Sequence, residues 1–173
     1  MMNDWLMLTL IGADRPGIVA RVTDTLYRAG WTLGEASMMR LGGNFAIMMM
    51  VRGGEADDLE ALLEPVADAL GLRLHVDAIA GGLHRHMIPN YQVRVSGADR
   101  AGIVAQVTGA LAEAGFNILD LESDVAGDEA NPVYVMTIQG DSDQPLEVLR
   151  KALETAGGGD VEVSISPIDT LIG

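Results

Sequence analysis

The sequence contains no cysteine. Disulfides, thiolate metal sites and a cysteine nucleophile are therefore excluded, and a reducing cytoplasm is the expected location. Aromatic residues make up only 4% of the chain, while 49% of it is hydrophobic. The core must then be aliphatic, drawn from Leu, Ile, Val, Ala and Met, and a chain this apolar is not disordered. Basic residues are few: 11 Lys and Arg stand against 25 Asp and Glu, a net charge of −14. Nucleic-acid binding rests largely on Lys and Arg, so direct contact with DNA or RNA is not expected. No apolar run reaches the roughly 18–20 residues of a membrane span. The N-terminus does not read as a secretion signal either, because Asp4 comes early and no basic stretch precedes the first short apolar run. Gly-x-Ser-x-Gly, His-Glu-x-x-His and Walker patterns are all missing, so neither a catalytic set nor a cofactor is expected.

What the chain does have is an internal repeat. Gly12-Ala13-Asp14-Arg15-Pro16-Gly17-Ile18-Val19-Ala20 returns as Gly97-Ala98-Asp99-Arg100-Ala101-Gly102-Ile103-Val104-Ala105. The offset is 97 − 12 = 85 residues, and it continues through Val22-Thr23 against Val107-Thr108, Leu26 against Leu111, and Ala29-Gly30 against Ala114-Gly115. A repeat this long is a duplicated module rather than a short solenoid unit. The expected division is module 1 over 1–79, a linker over 80–89 and module 2 over 90–173.

Each copy parses in the same order. Trp5 to Ile11 reads as a strand, and Ala13 to Gly17 as a turn in which Asp14 can cap and Pro16 suits the first helical turn. Ile18, Val19, Val22, Leu26 and Ala29 follow at helical spacing, with Gly30 at the stop. Trp31 to Leu41 and Asn44 to Val51 are strands joined at Gly42-Gly43, a hairpin signal. Leu59, Leu62, Leu63, Val66 and Leu70 mark a second helix, opened by the acidic run Glu55-Ala56-Asp57-Asp58, and Leu72 to Ala78 a last strand. In copy two the strands are Tyr91 to Ser96, Phe116 to Val125, Val133 to Gln139 and Val161 to Ile165. The helices are Ile103 to Ala114 and Pro145 to Ala156, and an acidic loop, Gly127 to Pro132, separates the middle strands. The pattern predicts an α+β fold of two tandem ferredoxin-like βαββαβ modules, each an antiparallel sheet with its helices on one face.

Some other groups are assigned structural roles. His84-Arg85-His86 reads as linker rather than a metal site, and His75 as a structural strand residue. Met38-Met39 and Met48-Met49-Met50 read as a buried strand, since Met fills irregular core space. Gly157-Gly158-Gly159 follows a helix and precedes a strand, the wrong order for a phosphate loop.

The candidate site is the loop between the first strand and first helix of each copy. Gly17 and Gly102 remove the side chain where the backbone turns into a helix, so a ligand can approach the main chain. A helix N-terminus suits a carboxylate, and Asp14 or Asp99 offers an acceptor for an ammonium group. The two acids read equally as helix caps, and Arg15 and Arg100 equally as surface ion pairs or ligand contacts.

These residues, with the Ala-Gly-Phe-Asn-Ile stretch at 114–118, resemble the ACT domain family. Two such modules with little else resemble the glycine cleavage system transcriptional repressors. The resemblance implies a non-catalytic amino-acid-sensing regulator whose ligand lies between the loop of one module and the second strand of a neighbour. It implies ligand-binding roles for Asp14, Arg15, Pro16, Gly17 and Ile18, for Asp99, Arg100, Ala101, Gly102 and Ile103, and for Asn117 and Ile118, with Leu119 beside them. Copy one departs by having Thr32 where copy two has Asn117, and copy two by having Ala101 for Pro16. Pairing the first loop with the second copy's strand would combine the better halves. Glycine or serine is the first candidate ligand, and a homodimer is expected. The acidic charge points to a DNA-binding transcription factor as the partner, not to DNA itself. The alternative is a regulatory or interaction subunit of a metabolic enzyme with no small ligand.

Overall fold

The computed structural model describes residues 5–80, 87–98, 102–128, 130–157, 159 and 161–169. The chain forms two compact units, Met1–Arg85 and His86–Gly173. In the first, β1 (Leu6–Ala13), α1 (Ile18–Arg28), β2 (Thr32–Leu41), β3 (Asn44–Arg52), α2 (Ala56–Leu70) and β4 (Leu72–Ala78) follow one another. In the second the same order returns as β5 (Tyr91–Ala98), α3 (Ile103–Glu113), β6 (Asn117–Asp128), β7 (Asn131–Asp141), α4 (Leu146–Glu154) and β8 (Val161–Pro167). The sheets have strand orders β2-β3-β1-β4 and β6-β7-β5-β8, and every paired neighbour is antiparallel. Each unit is the expected ferredoxin-like module. Among the described residues no helix is long and apolar enough to cross a membrane.

Alternation along the strands decides where each core sits. Leu6, Leu8 and Leu10 of β1 and Phe45, Ile47, Met49 and Val51 of β3 point to one face, where Ile18, Val22 and Leu26 of α1 and Leu59, Leu63 and Leu70 of α2 close over them. Val93 and Val95, Met136 and Ile138 do the same under Ile103, Val107 and Leu111 of α3 and Leu149 and Leu153 of α4. The helix stripes at three- and four-residue spacing are what the sequence periodicity predicts. The acidic run before α2 also acts as expected: Glu55 is the N-cap residue, and its backbone N–H donates to the Asp58 carboxylate at 3.4 Å in a capping box.

Two expectations need correction. The acidic loop of copy two is a tight hairpin, with β6 and β7 paired out to Asp128 and Asn131. The Asp128 carboxylate accepts from the Ala130 N–H at 3.1 Å, and Gly127 takes a positive φ of 93°, so the residues that read as loop chemistry instead serve a turn. Pro132 is tolerated there because it lies one residue past Val133, the last β7 residue paired with β5. Second, the methionine runs are not all core. Met49 and Met50 are buried, but Met38, Met39 and Met48 are exposed. Met48 follows the strand alternation outward, and β2 is an edge strand. His75 lies in strand β4 as expected, its side chain exposed and 3.2 Å from the Asp77 carboxylate. The His84-Arg85-His86 linker reading lies outside the described residues.

Candidate functional site

The first loop begins where β1 ends. The Asp14 N–H donates to the Gly43 carbonyl at 3.1 Å, which ties the loop to the β2–β3 hairpin. The chain then runs through exposed Arg15 and Pro16 to Gly17, whose φ of +87° lies in the left-handed region. Gly17 is the N-cap of α1, and its carbonyl accepts the Arg21 N–H at 3.0 Å. Any L-residue would be strained at that φ, so the glycine is there for the backbone. An added Cβ would meet nothing within 4 Å, so the bend is also open to whatever approaches it.

Asp14 does not cap the helix, and Pro16 is not its first residue. No side chain caps α1, which starts at Ile18. Asp14 sits three residues before the N-cap, too early to reach the first-turn amides in the usual way. Its carboxylate pairs instead with Arg40 Nε of β2 at 2.6 Å. The Gly42-Gly43 turn fixes this meeting, because it sets Arg40 opposite Phe45, and Phe45 pairs in turn with Gly12 of β1. Arg15 forms no ion pair among the described residues.

Around this bend lies a hollow of about 320 Å³, lined among others by Asp14, Arg15, Gly17, Ile18, Met38 and Phe45. Ile18 and Phe45 form a buried floor at 2% exposure each. The rim carries a carboxylate already engaged by one guanidinium, a second guanidinium, and the uncapped amides of a helix start. This set offers donors and positive charge to an anion, and one acceptor to a cation beside it. Pro16 does not line the hollow. Sequence reasoning missed Arg40, Met38 and Phe45. Their signal was the hairpin register counted back from Gly42-Gly43, which places all three on the helix side of the sheet beside the loop.

In the second module Gly102 repeats Gly17: φ is +85°, it is the N-cap of α3, and its carbonyl accepts the Gln106 N–H at 2.9 Å. An added Cβ again meets nothing within 4 Å. Ile103 is buried as Ile18 is. Asp99, Arg100 and Ala101 lie outside the described residues. Asn117 is the exposed first residue of β6 and pairs with Asp141, while Ile118 is half-buried against the second core. Asn117 is far from Ala98, the last residue of β5. Ile118 and Tyr91 share the partner Gly140 at the start of β5, whereas the loop follows Ala98 at its end. The eight residues of β5 separate them by roughly 25 Å at the rise of a strand. Asn117 and Ile118 therefore lie at the opposite end of β5 from Ala98.

The repeated βαββαβ order and the glycine-bend loop accord with what family comparison finds. ACT domain models match residues 4–77 and 91–156. This chain belongs to the ACT domain family. Both ACT modules carry the bend described above. The UPF0237 protein YjhC of Lactococcus lactis subsp. lactis (strain IL1403) is 36% identical over 83 residues, 46% of this chain and 95% of the relative. The UPF0237 protein MK1213 of Methanopyrus kandleri is 37% identical over 73 residues, 42% of this chain and 81% of the relative. Each of these relatives matches less than half of this chain. Two crystal structures match along the whole chain, each with a TM-score of 0.72. One is an unknown protein from Galdieria sulphuraria, 24% identical, covering 96% of this chain and 99% of its own. The other is a protein provisionally named a glycine cleavage system transcriptional repressor, 19% identical, covering 98% and 100%. At these identities the likeness is one of fold.

Proposed function

We propose that this tandem ACT protein is a non-catalytic regulator that responds to a small amino acid. The observation that carries the reading is the doubled glycine bend: each module opens a helix at an uncapped, unobstructed turn, and the first is flanked by Asp14, Arg15 and Arg40. An α-carboxylate suits the helix amides and Arg15, and an α-ammonium suits Asp14. The open glycine and the apolar floor leave room for a small side chain, with glycine and serine as first candidates. Loop residues Asp14 to Ile18 and Asp99 to Ile103 would supply one half of a site and Asn117 with Ile118 the other. No cofactor is required.

The net charge of −14 disfavours action on DNA directly. Regulation in the cytoplasm through a DNA-binding transcription factor, including control of a glycine cleavage system, follows the name of the 19%-identical structural match.

Isothermal calorimetry with glycine and with serine tests the site. Asp14→Ala and Asn117→Ala are each expected to weaken binding about tenfold or more, the worth of a charge-assisted hydrogen bond. Unchanged affinity in both would sink the assignment. A thermal-shift screen of the twenty amino acids with no response from any would instead favour an interaction subunit of a metabolic enzyme.

A further inference from the structure

The two bends share a backbone but not the second strand beside it. Gly12 pairs with Phe45 and Phe45 with Arg40, as Gly97 pairs with Tyr134 and Tyr134 with Val125. Counted by that register, Met38, Arg40 and Phe45 become Ser123, Val125 and Tyr134 in module 2. The loop and helix start change less: Asp14-Arg15 returns as Asp99-Arg100, and Ile18-Val19-Ala20 as Ile103-Val104-Ala105. What the second copy lacks at this register is the cation.

We infer that Arg40 is a positioning residue that makes the first bend the occupied one, so that each chain binds one small amino acid, in module 1. The inference rests on the reading of the bend as an amino-acid site, and adds which bend is filled and why.

Arg40 does not line the hollow, whereas Asp14 does. Arg40 therefore acts through Asp14. Its Nε lies 2.6 Å from Asp14 Oδ2. A carboxylate has two oxygens and about four lone-pair sites, so one guanidinium leaves room for an α-ammonium. Without that guanidinium, Asp14 is a short side chain on a loop, and a ligand must immobilise it on binding. With Arg40 in place the carboxylate is held before the ligand arrives. Immobilising one side chain at the moment of binding costs roughly two- to tenfold in affinity, and preorganisation avoids that loss.

Module 2 offers no such hold at this position. Val125 is an exposed hydrocarbon side chain and cannot pair with a carboxylate. Glu122 and Asp124 stand where β2 has Ser37 and Met39, so β6 adds two carboxylates that repel the carboxylate of a ligand. The same bend is thus equipped in one module and not in the other.

Calorimetric titration of the full chain tests this, with glycine, with serine and with any other of the twenty amino acids that shifts its melting. The wild type is expected to bind one molecule per chain. Arg40→Val should weaken that binding about fivefold, and circular dichroism verifies that the variant is folded. Arg28→Val removes the same charge from the exposed Arg28–Asp24 pair, 2.8 Å apart, and should leave affinity unchanged. A double-mutant cycle reads the positioning role directly: in an Asp14→Ala background, Arg40→Val should cost little more. Two equivalent sites per chain, or wild-type affinity in Arg40→Val, overturns the inference while amino-acid binding stands. Losses that simply add in the cycle overturn it too, because Arg40 would then act independently of Asp14. If none of the twenty amino acids binds, the inference falls together with the reading beneath it.

Discussion

Modules 1 and 2 are the same backbone given two different surfaces. The glycine bends match to within 2° in φ, at +87° and +85°, and the helices that follow bury residues at the same offsets. Register is conserved as well: Gly12, Phe45 and Arg40 lie in one row of the first sheet, and Gly97, Tyr134 and Val125 in the same row of the second. The buried residues of the first helix are kept, Ile18, Val22 and Leu26 returning as Ile103, Val107 and Leu111, while the sheet residues beneath them and those that face outward have diverged. Module 1 has Arg40 beside its loop and exposed methionines at 39 and 48. Module 2 has Val125 where Arg40 would be, and a β6 edge bearing Asp120, Glu122, Asp124 and Asp128. An edge so charged resists pairing with other strands. The duplication thus separates two requirements: packing fixes the bend, and the surface around it is free to specialise.

The largest expected effect comes from where the cores differ. Phe116, at the head of β6, lies on Gly140 of β7, and a Cβ at 140 would collide with the Phe116 ring and the Asn117 carbonyl oxygen. Trp31 is the equivalent aromatic in module 1, but the glycine it covers is Gly53, two residues beyond Val51, the position equivalent to Gly140. Gly140→Ala is therefore expected to cost about 3 kcal/mol, at the upper end for overpacking, because one of the colliding atoms is backbone. Denaturant unfolding measures it. A loss below about 1 kcal/mol would mean that β6 shifts easily, and that its first residues, Asn117 included, are not held in place.

A middle-sized effect separates backbone need from ligand access at the bends. Gly17→Ala and Gly102→Ala should each cost about 1–2 kcal/mol, because both force an L-residue into the left-handed region. Gly30, with φ of +80° and equally open surroundings at the far end of α1, should cost the same when changed to Ala. If the first bend also receives a ligand, Gly17→Ala lowers amino-acid affinity and Gly30→Ala does not. Equal affinities in all variants would leave these glycines with conformation as their sole duty.

Local features of the chain proved legible because their causes are local. Helix stripes such as Leu59, Leu63 and Leu70, the stop at Gly71 and the hairpin at Gly42-Gly43 each depend on residues within a few positions. Distant consequences were harder to read. Asp14 looks like a cap when only its neighbours are considered, and becomes half of an ion pair once β2 folds back to bring Arg40 alongside. Gly127 to Pro132 has the composition of a loop, yet pairing with a neighbouring strand carries the ladder to its tip. The outward methionines were hidden for a related reason: period-two alternation shows which residues oppose each other, but not that β2 would lie at an edge. Of the candidate site, the glycine bend could be read from adjacent residues alone, whereas Arg40 emerges only when the hairpin register is counted back from Gly42-Gly43.

That cation supplies the smallest test. Arg40→Val gives module 1 the residue that module 2 has at this register. The ion pair is partly exposed, with side-chain accessibilities of 26% for Asp14 and 69% for Arg40, so solvent screens it and the expected cost is only about 0.5 kcal/mol. Salt distinguishes its two sources. If charge is the cause, the difference between wild type and variant in thermal melts disappears near 1 M salt, where the Debye length falls to about 3 Å. If the Arg40 stem matters by covering Phe45, its partner across the strand pair, the difference persists at high salt. The second outcome would make Arg40 a packing residue, and the contrast with Val125 would then concern the hydrophobic floor of the hollow rather than its charge.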